Sequence, residues 1–173
     1  VRARLRREHG WGDDARVVLG VGFGDARKGL DLFIATAALA EKSGSSTRFV
    51  WVGDVQGGMD RWMAACPSPP STLVHVPFTS SVADWYAAAD VLFVSSREDP
   101  FPSTVLEAIS AGVPPIAFRG CSGAEDLVLT HGFLIDDMTP GAALEVLQRI
   151  APSPDRPART RAMQQQLMAT HRF

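Results

Sequence analysis

Two groups of residues in this 173-residue chain have the types and spacing for ligand chemistry. The first is Gly20, Gly22 and Gly24, followed by Arg27-Lys28-Gly29. Glycines that close a β-branched run let the backbone approach a ligand, and here two cations follow at a helix start. Cations at that end oppose the helix dipole, so the pair is mildly unfavourable unless an anion lies between them. A diphosphate is an anion of the right kind; the other reading is a solvated charge pair on a surface loop. The stretch is not a dinucleotide fingerprint, because the third glycine would fall on Asp25 or Arg27. Nor is it a P-loop, because Lys28 precedes Gly29 and no Ser or Thr follows to hold magnesium.

The second group is Asp99 and Glu107, either side of Pro100-Phe101-Pro102-Ser103-Thr104. The prolines hold this loop extended, and Ser103 is placed to cap the helix that follows. The free N–H groups of that helix start would face the carboxyl end of a parallel sheet, where phosphate-bearing ligands bind. Glu107 lies in the same helix, with Ser103, Thr104, Ser110 and Ala111 at helical spacing around it. A carboxylate on so narrow a small-residue face can accept hydrogen bonds from a vicinal diol such as a ribose. A glutamate favoured by the helix dipole is the alternative. Asp99 suits either a sugar hydroxyl or an Asx-turn bracing its own loop, and taken singly it reads as the turn.

These groups need a scaffold, and the rest of the chain supplies one. Apolar runs predict strands over Arg16–Gly22, Arg48–Val52, Leu73–Val76, Val91–Val94, Pro115–Phe118 and Gly132–Ile135. Helices are predicted over Arg2–His9, Lys28–Ala40, Met59–Ala65, Val82–Ala88, the segment from Ser103, Ala124–Leu129, Pro140–Ile150 and Ala158–Thr170. Strands alternating with helices across short loops mean an α/β fold: a doubly wound, Rossmann-like parallel sheet of about six strands, with helices on both faces. Residues 16–150 form this domain, residues 1–15 enter it as a charged helix and linker, and residues 151–173 are a proline-rich break and a last polar helix.

Composition narrows the function. Hydrophobic content of 46% supports one well-packed domain, and a net charge of −2 makes no electrostatic case for nucleic acid or a membrane surface. Cys66 and Cys121 have neither metal-ligand nor disulfide-framework spacing, which points to a reducing cytoplasm. No apolar run approaches the ~20 residues of a membrane span. His9, His75, His131 and His171 are scattered and take no metal or catalytic role. Glu125, Asp13-Asp14 and Asp136-Asp137 read as helix-start and turn residues.

Four stretches, in order, carry a family resemblance: VLGVGFGDARKGLDLFIATA, FVWVGD, WYAAADVLFVSSREDPFPSTVLEAISAGVPPIAF, and GAEDLV followed by HGFLIDD. Together they resemble the C-terminal, donor-binding domain of retaining GT-B glycosyltransferases of family 4, the glycosyl transferases group 1. The resemblance runs from about Arg16 to Ile150. It implies one half of a GT-B architecture that binds a nucleotide-diphospho-sugar, UDP- or GDP-linked. In the family a Glu-x7-Glu pair frames the donor. Asp99 takes the first position, on the transferred sugar, and Glu107 the second, on the ribose.

Lys28 resembles the diphosphate lysine. The arginine common after the first strand is Phe23 here, and Arg27 is the residue that would stand in for it. Catalytic roles are thus implied for Lys28, Asp99 and Glu107. Donor contacts are implied for Gly22, Gly24, Arg27, Gly53, Phe78, Thr79, Phe101, Ser103 and Thr104. The resemblance implies no metal and no cofactor. It also implies an N-terminal acceptor-binding domain outside this sequence, through which any peripheral membrane association would run. Two other readings stay open: a degenerate, non-catalytic binding module, and a nucleotide-sugar epimerase of the same architecture, against which the Asp99–Glu107 spacing argues.

Overall fold

The computed structural model describes residues 1–12, 14–150 and 156–170. Six strands, β1 (Val17–Val21), β2 (Arg48–Val52), β3 (Leu73–Val76), β4 (Val91–Val94), β5 (Pro115–Phe118) and β6 (Phe133–Ile135), form one sheet. Their order is β3-β2-β1-β4-β5-β6 and every pairing is parallel. The chain starts in the middle, winds out to β3, returns to β4 beside β1 and winds out the other way. The reversal between β1 and β4 is the switch point at which open α/β sheets bind ligands.

The strands are apolar on both faces because both are covered. Successive residues of β1 show it: Val17 and Leu19 pack into one core, and Val18 into the other. The first core takes in residues of α1 (Arg2–Glu8), α4 (Val82–Ala88), α5 (Ser103–Ser110), α6 (Glu125–His131) and α8 (Arg156–Thr170). The second is covered by α2 (Leu30–Lys42), α3 (Met59–Ala65) and α7 (Pro140–Arg149), and is built round Phe33. That ring meets Phe49 and Trp51 edge-on at 5.4 and 5.2 Å, and stacks with Phe93 at 5.8 Å.

The amino end of the sheet is closed by a buried ion cluster. Asp90 is wholly buried, accepts from the Val17 N–H at 2.9 Å, and pairs with Arg2 at 2.6 Å and Arg6 at 3.2 Å. Arg6 also donates to the carbonyls of Gly12 and Ala15, and Arg2 to that of Ala88. The opening helix α1 is therefore bound to the domain, packed on α4.

The predicted strands and helices are all present, with ends moved by one or two residues. Ser103 is the exception in role. Pro102 takes the cap position of α5, in extended backbone with φ −71° and ψ 110°. Its carbonyl accepts from the Val105 N–H at 3.0 Å. Ser103 is thereby the first residue inside the helix, and its hydroxyl makes no capping bond.

Candidate functional site

At the carboxyl end of the sheet, beside the β1–β4 switch point, the loops surround a cleft of about 360 Å³. Seven of the residues singled out in the sequence line it: Gly22 after β1, Gly53 after β2, Phe78 and Thr79 after β3, and Ser103, Thr104 and Glu107 of α5. Val21, Phe23, Val52, Asp54 and Val82 complete its lining. The floor is made of glycine backbone for a steric reason. Gly53 has φ +133°, and a Cβ there would stand 2.2 Å from the Gly22 carbonyl oxygen. That carbonyl also accepts from the Trp51 indole at 3.1 Å, so the two turns are locked together from below.

Lys28 and Asp99 lie beside the cleft and are bonded to each other, across 71 residues of sequence. Lys28 shares a small neighbouring cavity with Ser95, Ser96 and Thr104. A Cβ on Gly22 would touch its Cε at 3.6 Å, so the lysine stem runs along the rim of the cleft. The lysine side chain retains 18% exposure, and the aspartate side chain 8%. Asp99 is therefore not an Asx-turn residue: its side chain is committed to Lys28. Its backbone is held by the loop after β5, through bonds with the Cys121 carbonyl and the Gly123 N–H, each 2.9 Å.

The loop carrying Lys28 is fixed by the loop after β4. The Lys28 N–H donates to Asp25 at 2.7 Å, and its carbonyl accepts from the Ser95 hydroxyl at 2.9 Å. Gly29, at φ +67°, passes so close to the Ser95 carbonyl that a Cβ would fall 1.9 Å from its oxygen. Arg97 then clamps the loop, with two bonds to Asp31 at 2.7 and 2.6 Å and one to the Ala26 carbonyl at 2.6 Å. Burial pushes the Asp31 carboxyl up, but the hydrogen bonds and charge of Arg97 outweigh it and hold the group below its usual value.

Three expected contacts stand apart. Gly24 is buried and bridged to Val55, where a Cβ would meet the Leu30 side chain at 2.9 Å; it serves packing between the loops. Arg27 is exposed and donates to the Glu98 carbonyl at 3.2 Å. Phe101 is 55% exposed and outside the cleft lining. Among the described residues no cluster of His, Cys, Asp and Glu could hold a metal ion. Nor is any helix long and apolar enough to cross a membrane.

Sequence reasoning passed over Asp54 and Tyr86. Asp54 accepts from the Phe78 N–H at 3.1 Å and so ties the turns after β2 and β3. Tyr86, on α4, lies under α5 with 2% exposure. Its hydroxyl donates to the Thr104 carbonyl at 3.4 Å. Burial, then the charge and hydrogen bond of Glu107, raise its pKa far above the usual tyrosine value. One signal was available: Tyr86 is the only tyrosine of the chain.

Comparison with known proteins agrees with this fold. The model of the family described as Glycosyl transferases group 1 matches residues 1–166. An alpha-galactosylglucosyldiacylglycerol synthase of Streptococcus pneumoniae is 35% identical over 118 residues, covering 64% of this chain and 30% of its own length. A D-inositol 3-phosphate glycosyltransferase of Xylanimonas cellulosilytica is 29% identical over 170 residues, or 93% of this chain and 40% of its own. The chain thus spans less than half the length of these relatives. Among solved structures, WaaG, a glycosyltransferase involved in lipopolysaccharide biosynthesis, superposes with a TM-score of 0.77 at 24% identity, over 99% of this chain and 47% of that one. HepE of Anabaena, in complex with UDP and glucose, superposes with a TM-score of 0.69 at 20% identity, over 96% of this chain and 50% of its own. The shared fold is the Rossmann-like half of GT-B glycosyltransferases.

Proposed function

Because the chain belongs to the glycosyl transferases group 1 family, we propose that its carboxyl-end cleft binds the nucleotide-diphospho-sugar donor of a retaining, family 4 glycosyltransferase of hexosyl type. The observation that carries the reading is that Ser103, Thr104 and Glu107 of α5 line one cleft at the switch point, with the Lys28–Asp99 pair beside it. HepE, of the same fold, is described with UDP and glucose bound.

In this reading the donor diphosphate takes Lys28 from Asp99. The lysine ammonium and the unpaired N–H groups in the first turn of α5, at Ser103 and Thr104, then stabilise charge on the diphosphate as the glycosidic bond breaks. Pro102 has no N–H to contribute. Asp99, once released, turns to a hydroxyl of the transferred sugar. Glu107 accepts from the ribose hydroxyls, and Gly53, Phe78 and Thr79 line the place of the base, uracil or guanine. Fixed cations and helix-end dipoles supply the neutralisation, so the reaction needs no metal or cofactor. The acceptor site belongs to another part of a longer chain, as does any peripheral membrane contact, and the enzyme works in the cytoplasm.

Sugar transfer or donor hydrolysis by the full-length protein, assayed with UDP- and GDP-linked hexoses, tests the proposal. Turnover lost in Lys28→Ala and Glu107→Ala, with the fragment alone inactive, is the expected result. No turnover with any donor would point instead to a non-catalytic module, and turnover by the fragment alone would remove the need for a second domain.

A further inference from the structure

We infer that His75 is a positioning residue for the base end of the cleft. By holding the Gly53 carbonyl it turns the Asp54 N–H toward the cleft, and the site thereby takes the keto bases, uracil or guanine, over the amino bases cytosine and adenine. The inference rests on the reading of the cleft as a nucleotide site and deepens it.

Each glycine turn in the cleft floor is held by a ring N–H from the next strand of the sheet. Trp51, on β2, donates to the Gly22 carbonyl at 3.1 Å. His75, its register partner on β3, bonds the Gly53 carbonyl through Nε2 at 2.9 Å. Against a carbonyl the ring nitrogen is the donor. Register partners project from the same face of the sheet, and Trp51 packs in the core round Phe33. The Gly53 carbonyl is therefore drawn toward that face.

A trans peptide carries its N–H opposite its C=O, in one plane. The Asp54 N–H shares a peptide with the Gly53 carbonyl, so it is turned toward the other face of the sheet. The cleft opens on that face, where Val52 and Val82 belong to the first core. Neighbouring donors are already used: the Gly53 N–H bonds the Val76 carbonyl at 2.8 Å, and the Phe78 N–H bonds Asp54 Oδ1 at 3.1 Å. Among the described residues the Asp54 N–H and Oδ2 have no hydrogen-bond partner, and Asp54 is exposed in the cleft lining.

A fixed N–H distinguishes bases by what they place opposite it. The keto oxygens, O4 of uracil and O6 of guanine, accept from it; the amino groups of cytosine and adenine set donor against donor. The ring N–H beside each keto group then has the Asp54 carboxylate as acceptor, where cytosine and adenine present a bare nitrogen.

The test is calorimetric titration of the full-length protein with UDP, CDP, GDP and ADP. The wild type should bind UDP about tenfold more tightly than CDP, or GDP than ADP, the worth of one hydrogen bond made rather than opposed. His75→Phe, which keeps a ring but loses the donor, should shrink that ratio about three- to tenfold, with amino-base affinity unchanged within about twofold. His75→Gln, whose amide N–H takes the place of Nε2–H, should restore the ratio. Lys28→Ala should weaken all nucleotides together and leave the ratio intact.

An undiminished ratio in His75→Phe would overturn the inference, as would an equal loss for both kinds of base, the mark of mere packing. A ratio lost equally in His75→Gln would also overturn it, since the N–H would then not be its source. A wild type that binds nucleotides without preferring the keto base would contradict it outright. A wild type that binds none of the four would overturn the proposed function instead, so the two failures are told apart before any variant is made.

Discussion

The two ends of the sheet use the same chemistry, an aspartate facing cations, to opposite purposes. At the amino end, Asp90 is wholly buried and takes a backbone N–H and two guanidinium groups, which are themselves bonded to carbonyls of five further residues, Gly12, Ala15, Ala87, Ala88 and Ala89. At the carboxyl end, Asp99 holds one ammonium group, part-exposed beside a 360 Å³ cleft. A saturated cluster can only hold the fold together. An unsaturated pair on the rim of a cleft has bonding capacity left for a ligand.

The largest effect that can break this comparison is on stability. Asp90→Ala leaves Arg6, 3% exposed, without its carboxylate, and should cost about 3–5 kcal/mol. Asp99→Asn should cost only about 1 kcal/mol, because Lys28 can turn to solvent. Chemical denaturation of the two variants measures the difference; equal costs would erase the distinction.

Binding should show the reverse ranking. Lys28→Ala removes the proposed charge-assisted contact to the diphosphate and should weaken nucleoside diphosphate binding about ten- to a hundredfold. Asp90→Asn, if folded, should bind as the wild type does. Calorimetry on both variants decides whether the ends are functionally separate.

A smaller effect should come from Arg97, which acts only through the Lys28 loop. Arg97→Ala should weaken nucleotide binding severalfold, and stability by under about 1 kcal/mol since the pair is exposed. Its pH signature has a definite sign. Asp31 titrates lower folded than unfolded, so its contribution is present above the unfolded carboxylate value and is lost as pH falls through the folded one. The stability difference between wild type and Arg97→Ala should therefore narrow as solutions are acidified below about pH 4. A gap that widened on acidification would contradict the assignment.

Much of this was legible in the chain. Runs such as Val91–Val94 and Pro115–Phe118 read as buried strands because sheets covered on both faces leave no polar alternation. The glycine turns and the Asp99–Glu107 stretch pointed to the cleft, and Gly22, Ser103, Thr104 and Glu107 line it. What was hidden depended on contacts between distant elements. The Lys28–Asp99 pair spans 71 residues, and Tyr86 reaches α5 from α4; neither has a periodic signature. Arg2 and Arg6 read only as part of a charged entering helix, because their partner Asp90 lies more than 80 residues away. Ser103 was misplaced as a cap because Pro102 already had the extended backbone that a cap requires.

The central claim is that the carboxyl-end cleft is a nucleotide-sugar site, and amide NMR on this domain tests it most directly. Titration with UDP, GDP and their hexose conjugates should move resonances concentrated at Gly22 to Gly29 and Asp99 to Glu107, with the shifts weakened in Lys28→Ala and Glu107→Ala. Shifts elsewhere, or none in either this domain or the full-length protein at millimolar nucleotide, would contradict it.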